Sequence, residues 1–411
     1  MIKHYEVVVV GSGPGGFTTA LHLAMNGLKT ALVEGDKLGG TCLNRGCIPK
    51  EGLYRIAKEA LFLKKKLGVE INLDFDKAIR YVRGKVDQIR KNAEFLLKRE
   101  GVDLIRGCAE LVDYHVVKVG RNLYLKGDCV VLACGSKQRE EGISPEDVLS
   151  GKVKPKGRIL IEGSGASACE LAFVLSLFGF ETYMKVKEGR LLQDYPIEEE
   201  FVERLEKELQ MCGVRLTDSH VDADMHIKAT GRVPNLCRER FPFLEFEEGG
   251  YVKVNEFMQV AGMEWLYAVG DITKPMGAVH AIAKAKCASQ TILGSPAPYK
   301  PELVPVVICS ALEVGYVGKG IKGKKINKTL NANAKSFINS YTGMVSLTLD
   351  EEGRLAHCSI AGENISEILN TLTMLIGSYL WDEVLYQTTF THPSVCELLG
   401  DLAVGFIFNR V

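Results

Sequence analysis

Apolar runs along the chain are separated by glycine-rich or charged stretches, and the period of each run predicts an element. Val7-Val8-Val9-Val10 shows no alternation, the pattern of a strand buried on both faces in a parallel sheet. It leads into Gly11-Ser12-Gly13-Pro14-Gly15-Gly16 and a helical stretch to Asn26-Gly27, after which Thr30-Ala31-Leu32-Val33 predicts a second strand ending in Glu34. From Leu53 to Arg99 the spacing predicts helices with charged outer faces, including Lys64-Lys65-Lys66, which read as solvated surface. Strands follow over Val102–Ile105, Val116–Leu125 and Val130–Cys134. A second strand, glycine turn and helix then appear in Ile159-Leu160-Ile161-Glu162-Gly163-Ser164-Gly165-Ala166-Ser167-Ala168, with the helix reaching Phe178 and the next strand reaching about Val186. Further on, the pattern predicts a helix from near Ala278, a strand over Glu313–Gly318, an alternating strand over Met344–Leu349 and a helix over Ser366–Leu380.

Strand-helix-strand alternation followed by a mixed segment predicts an α/β protein, and 411 residues exceed one ordinary core. The proline-rich stretch Gly294–Pro301 is the clearest boundary. Lys plus Arg and Asp plus Glu number 51 each, so no global field recruits nucleic acid or an anionic membrane. No apolar run reaches membrane-spanning length and the N-terminus carries no secretory pattern, so a cytoplasmic location is expected. Twelve scattered cysteines without paired C-x-x-C spacing fit a reducing compartment, and no metal site is expected.

Chemistry concentrates in Gly39-Gly40-Thr41-Cys42-Leu43-Asn44-Arg45-Gly46-Cys47-Ile48-Pro49-Lys50. On an ideal helix, positions five apart subtend about 500°, so Cys42 and Cys47 would point apart unless the backbone is distorted. Gly46 permits that distortion, and Pro49 is tolerated only near a helix start. A thiolate at a helix N-terminus beside a cation such as Lys50 is stabilised and nucleophilic. Cys129 and Cys134 share the spacing but lie in a strand pattern, where positions five apart face opposite sides, so they read as core packing. In the two glycine turns, Gly11, Gly13 and Gly16, and then Gly163, Gly165 and Ala168, allow a dinucleotide's diphosphate to approach backbone amides, and Glu34 is placed to accept from a ribose. Two such signatures imply two dinucleotides.

The segment from Gly39 to Lys50 resembles the active-site motif of the flavin-dependent pyridine nucleotide-disulfide oxidoreductases, most closely the dihydrolipoamide dehydrogenase branch. The resemblance covers nearly the whole chain. It implies two Rossmann-like domains, for FAD (1–150 and 258–298) and for an abridged NAD(P) domain (151–257), with a C-terminal α+β dimerisation domain (299–411) in a homodimer. It further implies that Cys42 exchanges with the substrate while Cys47 contacts the flavin. Lys50 pairs with Glu170 beneath the ring, Thr41 and Gly135 contact FAD, and Asp271 in Trp265–Asp271 bonds the ribityl chain. Gly231 belongs to the Ala229-Thr230-Gly231-Arg232 segment that lines the cofactor. His392, in Thr391-His392-Pro393, is implied to serve the partner subunit's cysteines as acid and base, oriented by Glu397. His280 lies either near the flavin edge or on a helix surface; Cys396 reads as packing.

The implied activity is exchange of electrons between a nicotinamide nucleotide and a disulfide or dithiol, either a lipoyl group on a protein or a small molecule. Reduction of a glutathione-like disulfide and a redox sensor with little turnover stand as alternatives. The β-rich excursion expected before Ala229-Thr230-Gly231 is nearly absent, which shortens the nucleotide domain. At the end of its second strand the usual acid is missing, and Val186 or Lys187 takes its register. Lys187 and Arg190 tilt the expectation toward NADPH, with Glu188 as a possible substitute acid and solvated basic side chains as the plain alternative.

Overall fold

The computed structural model describes residues 2–186, 190–320, 322–339 and 342–407. It divides into two compact units, Met1–Leu53 with Asp74–Lys154 and Thr230–Lys300, and Tyr54–Leu73 with Pro155–Ala229 and Pro301–Val411.

The first unit is built on an eight-stranded sheet. Its central strand, Ile2–Val10, lies parallel between Thr30–Glu34 and Leu123–Leu132; Asp103–Arg106 extends one side and Met263–Ala268 the other. Val7, Val8 and Val9 are wholly buried, which is why this run carries no polar alternation. The helices Pro14–Met25 and Ala278–Ile292 pack against each other. Between Asp103–Arg106 and Leu123–Leu132 the chain makes the antiparallel hairpin Ala109–Asp113 and Val116–Val119. The single strand expected over Val116–Leu125 is therefore two, because Gly120 adopts φ +60° and reverses the chain between them. Cys129 and Cys134 belong to clusters on opposite faces of the sheet, as their spacing requires.

The second unit contains two sheets. One is parallel and four-stranded, in the order Arg215–Thr217, Glu181–Lys185, Arg158–Glu162, Met225–Lys228. Ile159, Ile161, Thr182, Met184, Met225 and Ile227 bury one face of it. The other face is mostly polar, with Leu160 buried among charged and polar side chains. His226, Leu160, Tyr183 and Arg215 form one row, and Lys228, Glu162, Lys185 and Thr217 the next. Glu162 accepts from Lys228 at 2.7 Å, while Glu181 accepts from Arg158 at 3.1 Å and Arg215 at 2.6 Å. A parallel sheet ordinarily buries both faces; here the shortened chain leaves one face to cross-strand charge pairs. The second sheet is antiparallel and five-stranded, in the order Val306–Ile308, Glu313–Gly318, Leu355–Gly362, Met344–Leu349, Lys324–Thr329. It packs on Ile365–Thr373 through Ile365, Ile368, Leu369 and Leu372, all fully buried. The helix expected over Ser366–Leu380 ends at Thr373, since Gly377 turns at φ +84° and donates to the Leu355 carbonyl; a separate helix spans Trp381–Gln387.

Candidate active site

In the first unit the strand Ile2–Val10 delivers its C-terminal end to the glycine turn. Gly11 sits at φ +98°, and a Cβ there would collide with the Ala133 carbonyl. At Gly13 a Cβ would meet nothing within 4 Å, so a diphosphate has room against the backbone at the start of the helix Pro14–Met25. Glu34, 8% exposed at its strand end, accepts from the Ser12 N–H at 2.9 Å and from the Ser12 hydroxyl, and its other oxygen accepts from Asp36 N–H at 2.7 Å. Ser12 also accepts from Gly39 N–H at 3.1 Å, which ties the glycine turn to the start of the cysteine segment. This cradle fits the FAD that the resemblance implies.

The cysteine segment folds as two helices with a break between them. Gly40–Arg45 carries Cys42, and Cys47–Leu67 begins on Cys47. Gly46 joins them at φ −130°, ψ −116°, where a Cβ would stand 3.0 Å from the Thr41 carbonyl oxygen. The break turns the two side chains toward one another, and the thiols share a hydrogen bond. That bond, followed by burial, pushes the Cys42 thiol well above the usual cysteine range. The expected activation by a helix N-terminus thus bears on Cys47, the first helical residue, and not on Cys42. Asn44 braces the loop, donating to the carbonyls of Leu38 at 2.9 Å and Gly40 at 2.8 Å and accepting from Arg90 at 2.8 Å. Pro49 is buried in the first turn, and the Lys50 ammonium lies 3.9 Å from Glu51.

Asp271 stands at the end of Met263–Ala268, in a short turn that precedes the helix Ala278–Ile292. It accepts from Ser136 Oγ at 2.6 Å and from Gly277 N–H at 2.8 Å. Arg232 donates to the Ser136 hydroxyl at 2.8 Å and its carbonyl at 2.7 Å, and pairs with Glu146. Burial, and then the like charge of Arg45, lower the Arg232 pKa, while Asp271 and Cys47 oppose them. A cavity of about 650 Å³ is lined by Thr41, Asn44, Arg45, Ser136, Ser144 and Arg232 among others, and so joins the cysteine segment to this network. His280 is buried at 7% exposure and its Nδ1 lies 2.7 Å from the Tyr299 hydroxyl, so the surface alternative for it does not hold. Burial and the neighbouring Lys284 cation bring its pKa down to about 4. Ser12, Asn44, Ser136, Arg232 and Lys284 were not assigned roles from the sequence; Ser12, Asn44 and Arg232 carried a signal through their places in the first glycine turn, in the cysteine motif and beside Gly231.

The second glycine turn repeats the first: Gly163 lies at φ +138° against the Ala229 carbonyl, and a Cβ at Gly165 would meet nothing within 4 Å. Ala168 is buried. Glu170 accepts from Cys309 N–H at 3.1 Å. Val186, at the register of the missing acid, donates its N–H to Thr217. Among the described residues the buried Nη1 of Arg190 has no hydrogen-bond partner, whereas Lys187 and Glu188 lie outside the described residues. His392 is exposed, its Nδ1 3.1 Å from Glu397 Oε2, leaving Nε2 on the outer side of the ring. Glu397 also accepts from Ser394 N–H at 2.6 Å, and that bond, then His392, holds its carboxyl below the usual range. Among the described residues no cluster suits a metal ion, and no helix is long and apolar enough to cross a membrane.

The sequence pattern of the family described as pyridine nucleotide-disulphide oxidoreductase matches residues 5–219 and 214–285. The chain belongs to that family. It is accordingly an FAD- and pyridine nucleotide-dependent oxidoreductase. Among curated relatives it is similar to a dihydrolipoyl dehydrogenase of Corynebacterium glutamicum (26% identity, covering 98% of each chain) and to one of Pseudomonas aeruginosa (29%, 97% of each). A dihydrolipoyl dehydrogenase of Acholeplasma laidlawii is 30% identical over 68% of this chain and 93% of its own. Among solved structures, LpdA of Mycobacterium tuberculosis superposes with a TM-score of 0.88 at 18% identity, covering 98% of this chain and 99% of its own. The HOCl-induced flavoprotein disulfide reductase RclA of Escherichia coli does so with 0.81 at 21%, covering 97% and 99%. These likenesses establish the shared α/β fold.

Proposed function

We propose that the enzyme oxidises a dithiol of the lipoyl type at Cys42 and Cys47 and passes the electrons to a nicotinamide nucleotide. The observation that carries this reading is the break at Gly46, which sets the two sulfurs within hydrogen-bond reach at a helix start. Starting from a Cys42–Cys47 disulfide, a substrate thiolate attacks the Cys42 sulfur, forming a mixed disulfide and releasing Cys47 as a thiolate. The second substrate thiolate then attacks its own sulfur neighbour, closing the substrate disulfide and releasing Cys42. His392 of the partner subunit takes the protons at Nε2, oriented by Glu397 at Nδ1. Bound FAD supplies the two-electron exchange with the nicotinamide. Gly11, Gly13, Gly16, Glu34, Thr41, Gly135, Gly231 and Asp271 would hold it, and the family resemblance assigns Lys50 and Glu170 to tuning it.

The test is steady-state oxidation of free dihydrolipoamide by NAD⁺ and NADP⁺. Turnover lost in both Cys42→Ser and Cys47→Ser supports the assignment; wild-type enzyme with bound FAD and no turnover refutes the substrate class and favours a redox sensor. For the coenzyme we infer a tilt to NADPH, supported by Val186 in place of an acid and by the buried Nη1 of Arg190. Arg190→Ala is expected to lower the NADPH-to-NADH ratio of kcat/KM several-fold. An unchanged ratio would mean that Arg190 does not read the 2′ position.

A further inference from the structure

One charged group of the first unit has no part in the chemistry above. Lys284, in the second turn of the helix Ala278–Ile292, is 0% exposed. Its Nζ donates to the carbonyls of Pro275 at 2.7 Å, Thr273 at 3.0 Å and Gly270 at 3.3 Å. Three acceptors on one nitrogen match the three N–H bonds of an ammonium, whereas a neutral amine has only two. The nitrogen also lies 5.7 Å from the centre of the Tyr299 ring. Of the titratable groups facing it, Asp271 is the attractive charge on the neighbouring turn, His280 on its own helix is held neutral, and Tyr299 from the following segment bonds His280.

Burial lowers the Lys284 pKa to about 7, with Asp271 opposing. An aliphatic side chain of similar length would fill the same volume without desolvating a charge. Packing therefore does not account for the ammonium. Its three acceptors all belong to the Gly270–Pro275 turn, and the outer side of that turn presents Asp271, itself fixed by Ser136 and Gly277. The lysine braces the turn from inside while Asp271 faces outward. The positive end of the helix that carries the lysine lies at the same turn, so the two fields add.

We propose that Lys284 is a positioning residue for FAD, gathering three carbonyls to fix the turn that carries Asp271 and supplying a buried positive charge that raises the midpoint potential of the bound flavin. The proposal rests on the family reading of Asp271 as a cofactor contact. It assigns a role to a cation that neither glycine turn nor cysteine motif requires.

The experiment is spectroelectrochemical titration of the FAD-loaded dimer in wild type, Lys284→Gln and Lys284→Arg. Gln keeps two donors for the turn but removes the charge. At an ambient potential equal to the wild-type midpoint, Lys284→Gln is expected to show at least a tenfold lower ratio of reduced to oxidised flavin, about 30 mV for a two-electron couple. Lys284→Arg is expected to stay within threefold of wild type. A Gln variant that retains FAD at a ratio within twofold of wild type overturns the electrostatic role. Should the Gln variant not fold, wild type and Lys284→Arg suffice. Arginine stays charged throughout, so the wild-type potential is expected to drop below that of the Arg variant as pH rises from 6 to 9, and parallel curves overturn the proposal. A wild type that takes up no FAD would instead refute the family reading beneath it.

Discussion

The conformation of Gly46 decides whether the two reactive sulfurs can meet. A side chain there would press on the Thr41 carbonyl at 3.0 Å and the Cys42 Cα at 3.3 Å, both backbone atoms of the helix that carries Cys42. Gly46→Ala is expected to cost about 1–3 kcal/mol if the geometry is kept. If the backbone relaxes instead, the thiols part. Either way kcat falls at least tenfold, read by dihydrolipoamide turnover, with a lower Tm only in the first case; unchanged kinetics would show that the break is incidental. Lys284 governs a second residue-scale outcome. Its native pKa of about 7 lies below the ordinary lysine value of 10.5, so between those limits the unfolded state binds a proton that the native state lacks. Stability therefore rises with pH across that window and the full cost is felt below pH 7. At about 1.4 kcal/mol per pKa unit the span is several kcal/mol. Relative to Lys284→Gln, wild type is expected to gain Tm as pH goes from 7 toward 10, and a constant difference would contradict the buried charge.

At the scale of elements, the open face of the four-stranded sheet shows how a nucleotide-binding core tolerates a missing cover. Tyr183 lies between Arg158 and Arg215, with their guanidinium carbons 5.9 and 5.2 Å from its ring centre, and Glu181 accepts from both arginines and from the Tyr183 hydroxyl at 3.0 Å. Glu181→Ala leaves two cations facing each other over one ring. A lower Tm is expected at low ionic strength, recovering toward wild type in 1 M salt as screening removes the repulsion; a salt-independent loss would point to packing instead. The glycine turns, the first strands and the Gly46 break were legible in the sequence because each depends on local backbone freedom. The reversal at Gly120 was not, since β-branched and apolar residues on both sides read as one continuous strand. Nor was the end of the helix at Thr373, where Gly377 makes its turn only in pairing with Leu355. Lys284 looked like any helical lysine; the carbonyls that bury it come from a turn nine to fourteen residues earlier.

For the whole molecule, the question is whether one chain completes a site. His392 is exposed and, among the described residues, its ring is held only through Nδ1 by Glu397, so Nε2 is available to a group outside this chain. On the proposed reading that group is the cysteine pair of the partner subunit; His392 itself lies in the second compact unit, which contains both the four-stranded and the antiparallel sheet. Each dimer then has two sites, each drawing cysteines from one subunit and a histidine from the other. A Cys42→Ser homodimer and a His392→Ala homodimer are both expected to be inactive. After subunit exchange at equal concentrations, about half of the dimers are heterodimers, and in each of these one of the two sites has both residues intact. Recovery of about a quarter of wild-type activity is therefore expected, measured as dihydrolipoamide oxidation with exchange verified by mass. No recovery would place His392 in the service of its own subunit's cysteines or outside the reaction, and recovery near one half would require an asymmetric dimer in which a single site turns over.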